Sequence, residues 1–280
     1  MPPSATADRP RTVTPPRRTE TPVGDLTIAA WVWDAPPSDD ASASAPLEED
    51  PAGTPEPRTV VLVHGLGASS RYFRPLAERL AAHGAVHALD LPGFGSAPDP
   101  TRDVSIADHA LAIGQYVRAN GLDRPLLVGH SMGAQFVAEL LARDHDITDS
   151  AVLLGPTIEP ARSTVRHAAS RLLRDQLGER PSSIYRTMTD SVFRCGAGYY
   201  RRQLHHLLTH DMEGAVAAIT AELLVARGDR DPVAPRKWVH HLAGLAPNGT
   251  FLELPGPHVL MMSHPDLVAE VVGERARTRP

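Results

Sequence analysis

From Thr59 onward, short runs of β-branched and aliphatic residues alternate with stretches of helical periodicity, and this alternation restricts the fold more than any other feature. TVVLVHG, AVHALDLPG, PLLVGHSMG, AVLLGP, AELLVARGD and GTFLELPG are apolar runs that end in turn residues. Between them, RYFRPLAERLAAHG, VSIADHALAIGQYVRANG and AQFVAELLARD set apolar residues at helical spacing, and the first two close on Gly84 and Gly121. A strand that is apolar along both faces must be covered on both, and strands joined by helices run parallel. The expected class is therefore α/β, a mostly parallel sheet flanked by helices.

The rhythm breaks over residues 157–218, where VRHAASRLLRDQL and YYRRQLHHLLTHDM are helix-like and no clear strand occurs. We read this stretch as a helical lid inserted between two strands, which leaves residues 21–156 and 219–276 as the core. Two segments carry too little apolar surface to offset the entropy of ordering. One is the Pro-, Thr- and Arg-rich tail over residues 1–20, whose removal is expected to leave activity unchanged. The other is the acidic loop over about 35–58, APPSDDASASAPLEEDPAGTPEPR. Between them Leu26–Trp33 reads as a strand at a sheet edge.

The chain has 280 residues, 42% hydrophobic and 22% charged, enough to bury the core of one large domain with a lid. A formal charge of −5 gives no basic excess for nucleic acid or an anionic membrane. The single cysteine, Cys195, excludes an intrachain disulfide framework and a cysteine-only metal site. No apolar run approaches the roughly 18 residues of a membrane span. Arg17 and Arg18 are not followed by the apolar stretch of a secretory signal, so a cytoplasmic location is expected.

Gly129-His130-Ser131-Met132-Gly133 sits between a buried-strand run and the start of an amphipathic helix. A strand feeding a helix this abruptly lifts the serine into a strained turn, and glycines are needed on both sides. A serine needs a base to act as a nucleophile at neutral pH. Of the histidines, His258 is best placed, in the loop GPHVL after the strand TFLELPG. His264 reads as a helix-entry residue, and His205, His206, His240 and His241 fall within helical patterns. A carboxylate must orient the imidazole. Asp229 and Asp231 both follow the strand ELLVA, and Asp231, stiffened by Pro232, is favoured; Asp229 is expected to bond nearby amides. The order Ser, Asp, His along the chain is the one a nucleophile elbow of this kind requires. Oxyanion donors are expected at the amide of Met132 and, from the loop HGLGAS, at the amide of Leu66; losing such a donor typically costs about 3–4 kcal/mol.

HGLGAS at 64–69, DLPGFGSAP at 90–98, GHSMGA at 129–134, GDRDPV at 228–233 and the late His258 together resemble the α/β-hydrolase superfamily. Within it, the resemblance is to the lidded group of esterases, C–C bond hydrolases, lactonases and haloperoxidase-like enzymes. It covers about 59–270 and implies an α/β-hydrolase fold with Ser131 as nucleophile, His258 as base, Asp231 as acid and the Leu66 and Met132 amides as oxyanion donors. Serine at position 131 argues against the alkyl-enzyme chemistry of epoxide hydrolases and haloalkane dehalogenases, which carry an aspartate there. The implied activity is hydrolysis of ester-like bonds in a small-molecule acyl substrate through an acyl-enzyme, with no cofactor. C–C bond hydrolysis, thioester hydrolysis and acyl transfer are alternatives on the same fold, as is a ligand-binding receptor with slow or no turnover.

His206 and His210 have the i, i+4 spacing of helical metal ligands, with Asp211 adjacent. Without an H-E-x-x-H or a third ligand, no metal is implied. Tyr199 and Tyr200 either line the acyl pocket or form the core of the lid, and Trp238 reads as packing.

Overall fold

The computed structural model describes residues 14–36, 57–157 and 196–278. Of the proposed tail, acidic loop and lid, residues 1–13, 37–56 and 158–195 lie outside the described residues. The strands are β1 (Arg17–Val23), β2 (Leu26–Trp33), β3 (Val60–Val63), β4 (Val86–Asp90), β5 (Leu126–His130), β6 (Ser150–Leu154), β7 (Glu222–Gly228) and β8 (Gly249–Leu254). A 3-10 turn over Ser70–Phe73 leads into α1 (Arg74–Leu80). Then come α2 (Ile106–Ala119), α3 (Met132–Arg143), α4 (Ala197–Thr209), α5 (Met212–Ala217), α6 (Arg236–Leu245), α7 (Leu260–Ser263) and α8 (Pro265–Arg277).

The strands form one eight-stranded sheet in the order β1-β2-β4-β3-β5-β6-β7-β8. From β4 to β8 all neighbours are parallel, while β1 pairs with β2, and β2 with β4, antiparallel. Residues of the central strands alternate between two apolar layers, as a period of two requires. Val61, Val63, Leu127, Leu153 and Val225 face α2, α3, α5 and α6. Leu62, Val128, Val152, Leu154 and Leu224 face α1 and α8 on the other side. This double coverage is the reason β3, β5 and β6 are buried at every position.

Two expectations change at the sheet's edge. The edge strand is β1, which covers β2 along Arg17↔Val32 to Val23↔Leu26, so Leu26–Trp33 lies inside the sheet. The strand also starts at Arg17, within the stretch read as a tail, so residues 17–20 belong to the sheet. Its sequence RRTETPV gave no apolar signal because only Val23 is buried; backbone pairing, not side-chain burial, holds it.

Helix α2 begins where its sequence dictates. The Ser105 hydroxyl accepts from the Asp108 amide at 3.2 Å and the Asp108 carboxylate accepts from the Ser105 amide at 2.8 Å, a reciprocal cap. Two buried histidines on this side link the fold to pH. Burial, with the Arg17 charge nearby, pushes His87 down to about 4, and burial pushes His109 down to about 3. Their folded values lie below the unfolded value near 6.5, so the unfolded chain binds more protons in between. The stability they contribute is complete above pH 6.5 and is lost as pH falls toward the folded values. Urea unfolding at pH 5 is therefore expected to give a free energy lower than at pH 7 by on the order of 1–2 kcal/mol for each histidine. Equal values at the two pH points would contradict their neutral burial.

Candidate active site

The carboxyl ends of β3, β5, β7 and β8 bring four loops to one edge of the sheet, where open α/β sheets form their crevices. Strand β5 ends at His130 and α3 begins at Met132, leaving Ser131 alone to make the turn. Its φ of 58° and ψ of −121° are a conformation that a β-carbon resists. The close packing around this turn requires glycine both in α3 and in the loop after β3. A β-carbon on Gly133 would run into the carbonyl oxygens of Val63 and His64, and one on Gly65 would lie 2.8 Å from the Ser131 β-carbon. The Ser131 amide donates to the Leu154 carbonyl at 3.0 Å, tying the turn to β6.

His258 reaches this serine from the loop after β8, with Nε2 3.1 Å from Ser131 Oγ. Its Nδ1 is 2.7 Å from Asp231 Oδ2. A carboxylate only accepts, so Nδ1 carries the proton and the Nε2 lone pair faces the serine hydroxyl. The Asp231 side chain is fully buried, and its Oδ1 accepts from the amides of Val233 at 2.7 Å and Ala234 at 2.9 Å. Burial raises the carboxyl, but the charge and hydrogen bond of His258 together with those two amides outweigh it, and the group stays below the ordinary carboxylate value. Asp229 sits apart: its half-exposed carboxylate accepts from the Gly256 amide at 2.7 Å and fastens the loop after β7 to the loop preceding His258.

Met132 supplies the first amide of α3, a position with no acceptor inside the helix. The peptide between Gly65 and Leu66 is held by its oxygen, which accepts from His64 Nδ1 at 2.8 Å and from the Ala68 amide at 3.2 Å. A planar trans peptide sends its N–H opposite its C=O, so these bonds fix the direction of the Leu66 amide. The Leu91 amide donates to His64 Nε2 at 3.1 Å, which leaves the proton on Nδ1. Burial lowers the His64 pKa and keeps the ring neutral.

Four side chains at this site were not singled out from the sequence. His64 is one. Arg227 is another: buried at the end of β7, it donates to the carbonyls of Ala234 at 2.7 Å and Asp231 at 2.8 Å and pairs with Glu253, clamping the loop after β7. An arginine inside the apolar run ELLVARG was the available signal. Tyr72 and His130 are the others, and no spacing in the sequence brings them together.

The remaining candidates fall elsewhere. His264 caps α8, and its Nδ1 meets Ser263 Oγ at 3.0 Å. His206 bonds Asp103 at 2.9 Å and His210 bonds Glu139 at 3.1 Å. Among the described residues no group of three or more His, Cys, Asp or Glu side chains is arranged for a metal ion, and no helix is long and apolar enough to cross a membrane. Tyr199 is buried beside Phe94 and donates to the Pro92 carbonyl at 2.8 Å, so α4 rests on the loop after β4. Trp238 is buried in the core.

Comparison with known proteins agrees with this architecture. The chain is 27% identical over 239 residues to the pimeloyl-[acyl-carrier protein] methyl ester esterase of Xanthomonas campestris pv. campestris, covering 76% of this chain and 92% of the relative. It is 24% identical over 252 residues to the esterase of the same name from Xylella fastidiosa, covering 79% and 96%. The solved esterase EaEST from Exiguobacterium antarcticum superposes with a TM-score of 0.75 at 15% identity, over 93% of this chain and 99% of that one. A thermophilic esterase from Thermogutta terrifontis does so with a TM-score of 0.72 at 18% identity, over 94% and 100%. A family model described as the alpha/beta hydrolase family matches residues 60–271, and the chain belongs to that family.

Proposed function

We propose that this protein hydrolyses carboxylic esters of a small acyl substrate through a Ser131 acyl-enzyme. The observation that carries the reading is the unbroken series from Ser131 Oγ to His258 Nε2 at 3.1 Å and from His258 Nδ1 to Asp231 at 2.7 Å. Ser131 Oγ attacks the ester carbonyl while its proton passes to His258 Nε2. The negative oxygen that forms is received by the amides of Leu66 and Met132. Collapse breaks the ester C–O bond, and the leaving alkoxide takes the proton from His258. Water then repeats the sequence on the acyl-serine, giving the carboxylic acid and the free serine. Asp231 stays ionised and keeps the imidazole in the tautomer that accepts the serine proton. The methyl ester esterases to which the chain is related support esters as the substrate class.

A panel of p-nitrophenyl esters, methyl esters, thioesters and lactones tests this reading. Ester turnover is expected, together with a transient mass increase of one acyl group on the protein. Turnover of thioesters or lactones alone, with esters untouched, would overturn the substrate class.

A further inference from the structure

Tyr72 and His130 sit behind the catalytic series, 4% and 3% exposed, and the reaction described above does not use them. Tyr72 comes from the 3-10 turn after the oxyanion loop, and His130 is the residue before Ser131. His130 Nε2 lies 3.1 Å from the backbone oxygen of His258. A carbonyl oxygen only accepts, so Nε2 carries the proton, and the Nδ1 lone pair of a neutral ring is left to accept. Tyr72 Oη meets Nδ1 at 2.9 Å and can only donate there. The same oxygen accepts the Gly65 amide at 3.0 Å. The direction of every proton in this series follows from its two ends, an amide that donates and a carbonyl that accepts.

We propose that Tyr72 and His130 are positioning residues that join the Gly65 amide of the oxyanion loop to the His258 carbonyl of the base loop, holding the two halves of the catalytic apparatus in register. The proposal rests on the reading of Ser131 and His258 given above. Two loops far apart in the chain must be placed to within a fraction of an ångström for catalysis. Gly65 is held on both sides: its N–H by Tyr72, and its C=O by His64 and Ala68. His258 is held at its backbone by His130 and at its ring by Asp231. The bridge also has an electrostatic consequence. The His130 and His258 rings are 4.7 Å apart between centroids. His258 becomes positive in each catalytic cycle, and a protonated His130 would oppose that charge. Donation from Tyr72 to Nδ1 occupies the site where His130 would take a second proton, and burial disfavours that proton as well.

The test compares Tyr72→Phe, His130→Leu and His130→Gln with the wild-type protein on p-nitrophenyl acetate. Phenylalanine keeps the ring packing and removes only the bridging oxygen. Glutamine keeps an N–H near the position of Nε2, and leucine does not. Because base and oxyanion loops serve both acylation and deacylation, kcat is expected to fall about 10- to 100-fold in Tyr72→Phe and His130→Leu, with KM within about threefold. That is less than the loss on removing an oxyanion donor outright. His130→Gln is expected to recover part of the leucine loss. Nitrogen-15 spectra of the wild-type protein are expected to show His130 protonated at Nε2 and bare at Nδ1. Tyr72→Phe with kcat within twofold of wild type, or a proton found on His130 Nδ1, overturns the bridge. A wild-type protein without ester turnover overturns the functional reading instead, and the nitrogen-15 spectrum then decides the bridge by itself.

Discussion

Replacing Ser131 with alanine is expected to abolish covalent labelling by a fluorophosphonate probe and to lower ester turnover by about a millionfold, the scale on which a triad serine acts. The fold should survive. The Ser131 side chain makes no capping bond to α3, its β-carbon stays in the substitution, and the amide bond to Leu154 is unaffected. The positive φ of the turn is equally strained for serine and alanine, so the melting temperature should stay close to that of the wild type or rise slightly. Labelling that persists in the alanine variant would place the nucleophile at another residue.

Asp231→Asn is expected to lower kcat by about 10⁴-fold with little change in fold. The reason lies in the two amides of Val233 and Ala234, which donate to Oδ1. In the asparagine variant the side-chain oxygen must stay there to accept from them, so the NH₂ group turns to His258. Nδ1 then has to accept, the ring proton moves to Nε2, and the nitrogen facing Ser131 has no lone pair to take its proton. Asp229→Asn is expected to cost less than about tenfold, because an amide oxygen accepts from Gly256 as the carboxylate does. Steady-state kinetics of the two variants side by side checks the assignment, and a reversed order of effects would transfer the acid to Asp229.

What the sequence disclosed followed from how strongly each element is dictated by its own residues. Strands β3, β5, β6 and β7 are apolar on both faces because helices cover both faces, so they stand out as uninterrupted runs. Strand β1 has no such mark. It exists because β2 offers it a backbone to pair with, and that requirement leaves RRTETPV looking like a solvated tail. Ser131, Asp231 and His258 stood out as candidates because each follows a strand in a turn with little other reason to carry it, and the structure brings the three side chains together. Asp229 and Asp231 share one loop, and the preference for Asp231 rested on Pro232; the contacts that distinguish the two, from Gly256 and His258, come from elsewhere in the chain. Arg227 carried a signal, a charge within an apolar run, whereas Tyr72 and His130 lay beyond reach for a related reason. They meet across 58 residues of chain, and His130 reaches a backbone carbonyl 128 residues away, contacts for which a sequence carries no pattern.

In the proposed mechanism, Ser131, His258 and Asp231 act as one series beside the Leu66 and Met132 amides. The same fluorophosphonate reaction tests it most directly when the wild-type adduct is crystallised. The expected adduct has a bond from phosphorus to Ser131 Oγ, the phosphonyl oxygen within hydrogen-bond distance of both amides, and His258 Nε2 beside it with Asp231 still on Nδ1. A phosphonyl group on another side chain, or an oxygen turned away from Leu66 and Met132, would contradict it.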